Sequence, residues 1–257
     1  MAGYSDFAYF YDKLIDEKEY DDRCEYLLSL FRENLIKDGI MLDAACGTGI
    51  LSEKMSQKGF DVVGVDISED MLSKALERKA ENGSETLYLC QDISELDLFG
   101  TVNCAICTLD SINHITEPEK VEKAFERIGL FTEKGGIFIF DVNTPYKHRE
   151  ILGNNAFVFD EEDVFCVWQN EYDEETQDVH IYLDLFAPDE DGRYERYEED
   201  FSEVIYSREF LEKALNKAGF CVKAVYDDLS HNSIRKDTQR AVYICEKITE
   251  TNAVFKE

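Results

Sequence analysis

Three stretches of this 257-residue chain set small residues and carboxylates at the ends of apolar runs. The first is Leu42-Asp-Ala-Ala-Cys-Gly-Thr-Gly-Ile-Leu, a strand-like run that gives way to a loop of small side chains. Small residues let a backbone approach a ligand closely, and a helix opening at about Gly49 offers unpaired N–H groups. The second is Val65-Asp66, where a carboxylate ends an apolar run and suits both hydroxyls of a ribose. Each such charge-assisted hydrogen bond contributes about 1.5–3 kcal/mol. The third is Cys90-Gln91-Asp92-Ile93, another acidic and apolar pair beside the same point, where an adenine edge could lie. A glycine-rich turn alone serves dinucleotides equally well. The two carboxylates sharpen the reading toward an adenosine.

The elements that position these residues follow from hydrophobic spacing. Residues 9–37 read as one amphipathic helix, with Tyr26, Leu27, Leu30 and Phe31 on its apolar stripe. Buried strands are expected at 40–44, 62–65, 86–90, 102–109 and 136–140. Helices alternate with them at 50–57, from a Ser68 cap to 80, and from 118 to 131. Thr116 and Glu119 have the spacing of a capping box, with Pro118 in the first turn. Near-continuous apolar strands separated by helices indicate a parallel sheet covered on both faces. From about residue 156 the period changes to two, and runs at 164–172, 178–186 and 194–205 alternate between acidic turns. In the middle run Val179, Ile181, Leu183 and Leu185 share one face, and His180, Tyr182, Asp184 and Phe186 the other. A helix at 207–218 and strands at 221–226 and 241–245 complete the chain. The domain reading is a core of residues 1–155 and 206–257 with an antiparallel β cap inserted at 156–205. The acidic stretch 189–203 reads as a solvated strand edge that discourages edge pairing.

Composition bounds the function. With 27 Lys+Arg against 56 Asp+Glu the net charge is −29, and nucleic acid is a poor partner for such a surface. Apolar content of 44% supports a sizeable core. The opening Met1-Ala-Gly-Tyr-Ser-Asp has neither a basic nor an apolar leader pattern, and no run reaches the ~18 apolar residues of a membrane span. A cytoplasmic protein with no membrane partner is expected. Eight scattered cysteines read as reduced thiols. Cys104 and Cys107 have CxxC spacing but lie on a strand, where residues three apart point to opposite faces. No second pair completes a zinc site, so no metal is expected.

In order along the chain, these segments resemble the class I S-adenosylmethionine-dependent methyltransferases. Asp43-Ala-Ala-Cys-Gly-Thr-Gly is similar to that family's first motif, and Val63-Gly-Val-Asp-Ile-Ser with Met71-Leu to its second. Gln91-Asp92-Ile93 resembles its adenine-contacting segment, and Cys107-Thr-Leu-Asp-Ser-Ile-Asn the turn after its fourth strand. The resemblance implies a Rossmann-like sheet with helices on both faces and the antiparallel β insertion after the fifth strand, as in a bacterial small-molecule subgroup. It implies S-adenosyl-L-methionine as cofactor and S-adenosyl-L-homocysteine as product. By the same carry-over, Asp43 acts on the loop or the methionine end, Ala45, Cys46, Gly47 and Gly49 admit the cofactor, and Asp66 holds the ribose. Ile67 and Ile93 flank the adenine, with Gln91 and Asp92 beside it. Met71 follows in the next helix, Leu109 presents backbone to the methionine amino group, and Tyr11 closes over the site. Ala45 departs from the family's more common glycine. It also counts against a nicotinamide enzyme, whose motif needs glycine there.

The implied reaction is in-line methyl transfer to nitrogen or oxygen of a small-molecule acceptor, in which positioning contributes up to ~7–11 kcal/mol. A base is needed where the acceptor carries a proton. The candidates are Asp110, Asn113, His114, Asp141, Asn143 and His180. His114 stands where a central strand ends, and His180 shares a face with aromatic residues. His148 and His231 read as surface residues. Asn143-Thr-Pro-Tyr146 reads as a turn after the fifth strand. Two other readings stay open: a cofactor-binding module without catalysis, and an enzyme that methylates a protein.

Overall fold

Each apolar run of the first half becomes a strand of one sheet. In the computed structural model, which describes residues 5–14, 17–161, 163–188 and 191–250, the parallel strands are β1 (Gly39–Ala44), β2 (Phe60–Asp66), β3 (Leu87–Cys90), β4 (Val102–Cys107) and β5 (Thr132–Asn143). β10 (Phe220–Asp227) and β11 (Arg240–Lys247) extend it in the order β10-β11-β5-β4-β1-β2-β3. β11 is antiparallel to both neighbours. Because these strands are buried on both faces, alternate residues enter different cores. Phe138 and Phe140 pack with Phe125 of α5 (Pro118–Phe131) and Leu211 of α6 (Arg208–Lys217). Ile137 and Ile139 pack with Leu30 of α2 (Glu17–Glu33) and Met55 of α3 (Ile50–Gln57).

The second sheet is antiparallel, in the order β6 (Ala156–Glu161), β7 (Val164–Tyr172), β8 (Asp178–Pro188), β9 (Tyr194–Val204). Its apolar face, Val179, Ile181, Leu183 and Leu185, packs on Phe10 of α1 (Ser5–Tyr11) and on Leu152. Leu152 closes a π-helical turn, Lys147–Leu152, that the sequence pattern did not mark. The two sheets meet where Val204 N donates to Asn113 O (2.9 Å) and Asn113 Nδ2 donates to Val204 O (2.8 Å).

Several expectations are corrected. The helix read at 9–37 is two helices, α1 and α2. Between them Asp12 accepts hydrogen bonds from Thr48 Oγ1 (2.6 Å) and Arg78 Nη2 (2.6 Å), which draw the chain over the glycine loop instead of continuing the helix. The helix after residue 68 forms as α4 (Glu69–Asn82), capped by Ser68 Oγ accepting from Met71 N. α5 is different: its cap is Glu117 with no side-chain cap bond, so the capping box at Thr116 does not form. His148, read as a surface residue, is fully buried. His231 is half-exposed and pairs with Glu33 at 3.1 Å. All eight cysteines are free. Met1–Tyr4, Asp189 and Glu190, covered by the leader and acidic-edge readings, lie outside the described residues. No described helix is long and apolar enough to cross a membrane.

Candidate functional site

β1 sits between β2 and β4, so the connections reverse direction there, and ligands of open α/β sheets bind outside the carboxyl ends at such a point. A cavity of about 360 Å³ opens at this place. Its floor is the loop after β1. Ala45 (φ 60°), Gly47 (φ 54°) and Gly49 (φ 74°) all adopt the left-handed conformation, which costs an alanine roughly 1–2 kcal/mol and glycine little. A Cβ at Gly49 would lie 2.5 Å from Tyr88 Oη and 2.8 Å from Ala75 Cβ, so that glycine lets α3 start against α4 and β3. A Cβ at Gly47 would meet nothing within 4 Å, where the loop opens to the cavity.

Carboxylates stand around the loop. Asp66 accepts from Gly47 N (2.8 Å) on Oδ2 and from Ser68 N (2.9 Å) on Oδ1. Burial pushes its carboxyl up, while those N–H groups oppose the shift. Each oxygen keeps a further acceptor position for a ligand hydroxyl. Burial also pushes the Asp43 carboxyl up to about 7, although Ser52 Oγ donates to it at 2.5 Å. Asp92 Oδ1 accepts from Ser94 N (2.8 Å) and so caps the single 3-10 turn Ile93–Glu95. Ile93 and Met71 are buried on the cavity wall. Ile67 is 65% exposed at its mouth, an apolar surface open to a flat ring.

The opposite wall follows β4. Leu109 (φ 57°) and Asp110 (φ 55°) are consecutive left-handed residues. Asp141, at the end of β5, holds both by accepting Leu109 N (2.9 Å) and Asp110 N (2.8 Å). Asp141 also pairs with Arg240 (2.5 Å) and Arg23 (3.6 Å). Leu109's N–H is thereby taken. Burial opposes ionisation of Asp110, but Arg240 at 2.8 Å, with Lys147 and His114 nearby, holds its carboxyl well below the usual carboxylate range. His114 lines the cavity beyond Ser111.

Residues 41–136 match the family described as the methyltransferase domain. The chain is 30% identical over 247 residues to a protein of Geobacillus sp. strain WCH70 named as a methyltransferase, covering 95% of this chain and 99% of that one. A solved S-adenosylmethionine-dependent methyltransferase from Clostridium acetobutylicum is 33% identical and superposes with a TM-score of 0.85, over 96% of this chain and 99% of that one. The chain belongs to the class I S-adenosylmethionine-dependent methyltransferases. The sugar N-methyltransferase KedS8 from Streptoalloteichus shares this methyltransferase's fold, with a TM-score of 0.77 at 17% identity over 97% of this chain and 95% of that one.

The cofactor of this methyltransferase is S-adenosyl-L-methionine, and the residues present fit it. The open space over Gly47, the Asp66 carboxylate and the exposed Ile67 match a nucleoside with an attached amino acid. Of the residues singled out from sequence for the cofactor, Tyr11, Asp43, Ala45, Cys46, Gly47 and Asp66 line the cavity. Ile67, Met71, Gln91, Asp92, Ile93 and Leu109 line it as well. Gly49 does not, and its part is packing. Gln91's side chain is committed to Asp97, accepting from its N (2.9 Å) and donating to its O (3.2 Å).

His114 reaches the cavity and His180 does not. His180 lies on the polar face of β8, with Nδ1 2.8 Å from Ser202 Oγ and Nε2 3.4 Å from Asp200. Its alternation partners Val179 and Ile181 take the packed face instead. Asp141, also read as a possible base, is taken up by two backbone N–H groups and two guanidinium groups. Residues that the pattern missed include Tyr20, whose hydroxyl lies 3.4 Å from Tyr11 Oη in the cavity wall, and Glu203. Tyr20 falls inside the run read as a helix at 9–37, where no local motif marks it. Glu203, read as part of a solvated acidic edge, is 2% exposed. Asp110, His114 and Glu203 bring one ligand-type atom each within 4.8 Å of one another. Arg240 and Asn143 already hydrogen-bond the Asp110 carboxylate, so the group reads as a charge-compensated wall.

Proposed function

We propose that this methyltransferase acts on a nitrogen or oxygen of a small-molecule acceptor seated between the cavity and the four-stranded sheet, with His114 taking the acceptor's proton. His114 supports this role by its place, on the cavity wall next to the Leu109 turn and facing Glu203 of the four-stranded sheet at 4.0 Å. We treat that sheet as a cap over the acceptor. A fold shared with a sugar N-methyltransferase supports the small-molecule class.

When bound, the cofactor supplies an electrophilic methyl on a sulfonium sulfur. Asp66 would hold the ribose hydroxyls, Ile67 and Ile93 the adenine faces, and Asp92 its amino edge. Asp43 and the Leu109 carbonyl would face the cationic methionine end. The chain's work is then to align acceptor and methyl and to remove one proton. The test offers methyl-labelled S-adenosylmethionine with a panel of amino sugars, simple amines and hydroxylated aromatics. Label is expected in the small-molecule fraction, and His114→Asn is expected to slow transfer by about 10²–10⁴-fold. Label confined to protein, or an unimpaired His114→Asn, would overturn the reading.

Asp43 adds a pH dependence. Its carboxyl is neutral below about 7 because of burial, and only the anion attracts a cationic ligand. Cofactor affinity is therefore expected to rise with pH up to about 7 and then level off, with a limiting slope of about tenfold per unit below that point, one proton leaving per cofactor bound. Calorimetric titrations at several pH values check this. Asp43→Asn should flatten the profile, and an unchanged slope in that variant would remove Asp43 from the account.

A further inference from the structure

We propose that Glu203 is a positioning residue that holds His114 in the orientation and tautomer needed to accept the proton, with His148 and Asn143 fixing Glu203 in turn. The proposal rests on the assignment of His114 made above. Among the carboxylates of β9, Glu203 is the one buried at the joint of the two sheets. Its Oε2 accepts from Asn143 Nδ2 at 2.8 Å and lies 2.8 Å from His148 Nε2. An ionised carboxylate only accepts, so His148 carries its hydrogen on Nε2. Consistent with that, His148 Nδ1 is buried with no hydrogen-bond partner among the described residues.

Two donors on one oxygen fix the carboxylate and leave Oε1 toward His114 Nε2, 4.0 Å away. Residues two apart on a strand share a face, and Phe201 sets its ring 5.0 Å from the imidazole of His114. β9 thus presents a ring and a carboxylate to one histidine. Asp66 and Asp110 also face His114, but each is already engaged, Asp66 by Gly47 and Ser68 N–H and Asp110 by Arg240 and Asn143. At 4.0 Å the His114–Glu203 contact is longer than a hydrogen bond, as such contacts often are before a substrate closes the site.

The acceptor's lone pair forms the bond to the methyl carbon while the carbon–sulfur bond breaks and its electron pair stays on sulfur. The acceptor's N–H or O–H proton passes to His114 Nδ1. The resulting imidazolium donates Nε2–H to Glu203 Oε1, which carries the compensating charge.

The test uses ¹⁵N-histidine-labelled protein saturated with S-adenosylhomocysteine, with His114→Asn assigning the resonance. Neutral His114 is expected to carry its hydrogen on Nε2 in the wild type and to become a tautomer mixture in Glu203→Gln and Glu203→Ala. Both variants should keep cofactor affinity and the KM for S-adenosylmethionine while kcat on the panel falls by about 10². An unchanged tautomer in both variants would overturn the proposal. So would loss of cofactor binding along with rate, which marks a structural role. If His114→Asn transfers normally, the assignment of His114 fails and this proposal with it. If that variant is inactive while Glu203→Gln behaves as wild type, only the positioning role of Glu203 falls.

Discussion

Asp66→Ala is expected to weaken S-adenosylmethionine binding by about 10²–10⁴-fold, because two charge-assisted hydrogen bonds of about 1.5–3 kcal/mol each are lost and each 1.4 kcal/mol is tenfold. A second effect acts in the same direction. The Asp66 carboxylate accepts from Gly47 N and Ser68 N, so its removal frees the glycine loop from the end of β2. Asp66→Asn separates the two effects, since the amide oxygen still accepts one N–H while the charge is gone. Its affinity should fall between those of wild type and alanine. Burial disfavours the ionised Asp66, so alanine also relieves a desolvation cost, and the melting temperature should change less than the affinity suggests. A change in Kd of less than tenfold would remove Asp66 from the ribose position.

Asp141→Ala carries the largest expected cost in stability. The carboxylate is 1% exposed and meets Leu109 N, Asp110 N, Arg240 and Arg23. Truncating one partner of a buried ionic group costs about 3–5 kcal/mol, since the remaining charges lose their compensation without regaining water. At about 2–4 °C per kcal/mol for a chain of this size, the melting temperature should fall by roughly 6–20 °C. Asp110 and Asp228 stay beside the two guanidinium groups, which sets the loss toward the lower end. The consecutive left-handed Leu109 and Asp110 lose their anchor as well, so cofactor affinity should drop in the fraction that folds. A shift under about 2 °C, less than the cost of a single lost kcal/mol, would contradict this account of the network.

Much of the sheet was legible because buried parallel strands write themselves as short apolar runs. The alternation of Val179, Ile181, Leu183 and Leu185 announced the second sheet equally well. The lining of the cavity was legible where local rules suffice, at the small-residue loop, at Asp66 and at Asp92. Other features depend on partners distant in sequence. The break between α1 and α2 reflects Asp12 bonding Thr48 and Arg78, which no helical period records. Glu203 looked like a surface residue because a polar side chain on an acidic strand usually is one, and His148 because it stands among charged neighbours after the fifth strand. Their burial arises only where β9 docks on the turn after β5. The same blindness gave His180 a place it does not have, since alternation assigns a residue to a face but not that face to a pocket. Ala45 was legible as a departure from the family pattern. Its left-handed backbone gives the reason glycine is favoured there.

S-adenosylmethionine is expected in the cavity of about 360 Å³ at the carboxyl ends of β1, β2 and β4. The most direct measurement is calorimetric titration of the wild-type protein with S-adenosylmethionine, S-adenosylhomocysteine and NAD. One-to-one binding of the first two, abolished or strongly weakened by Asp66→Ala, with no heat from NAD, is the predicted result. Binding of NAD without S-adenosylmethionine, or S-adenosylmethionine binding that ignores Asp66, would contradict it.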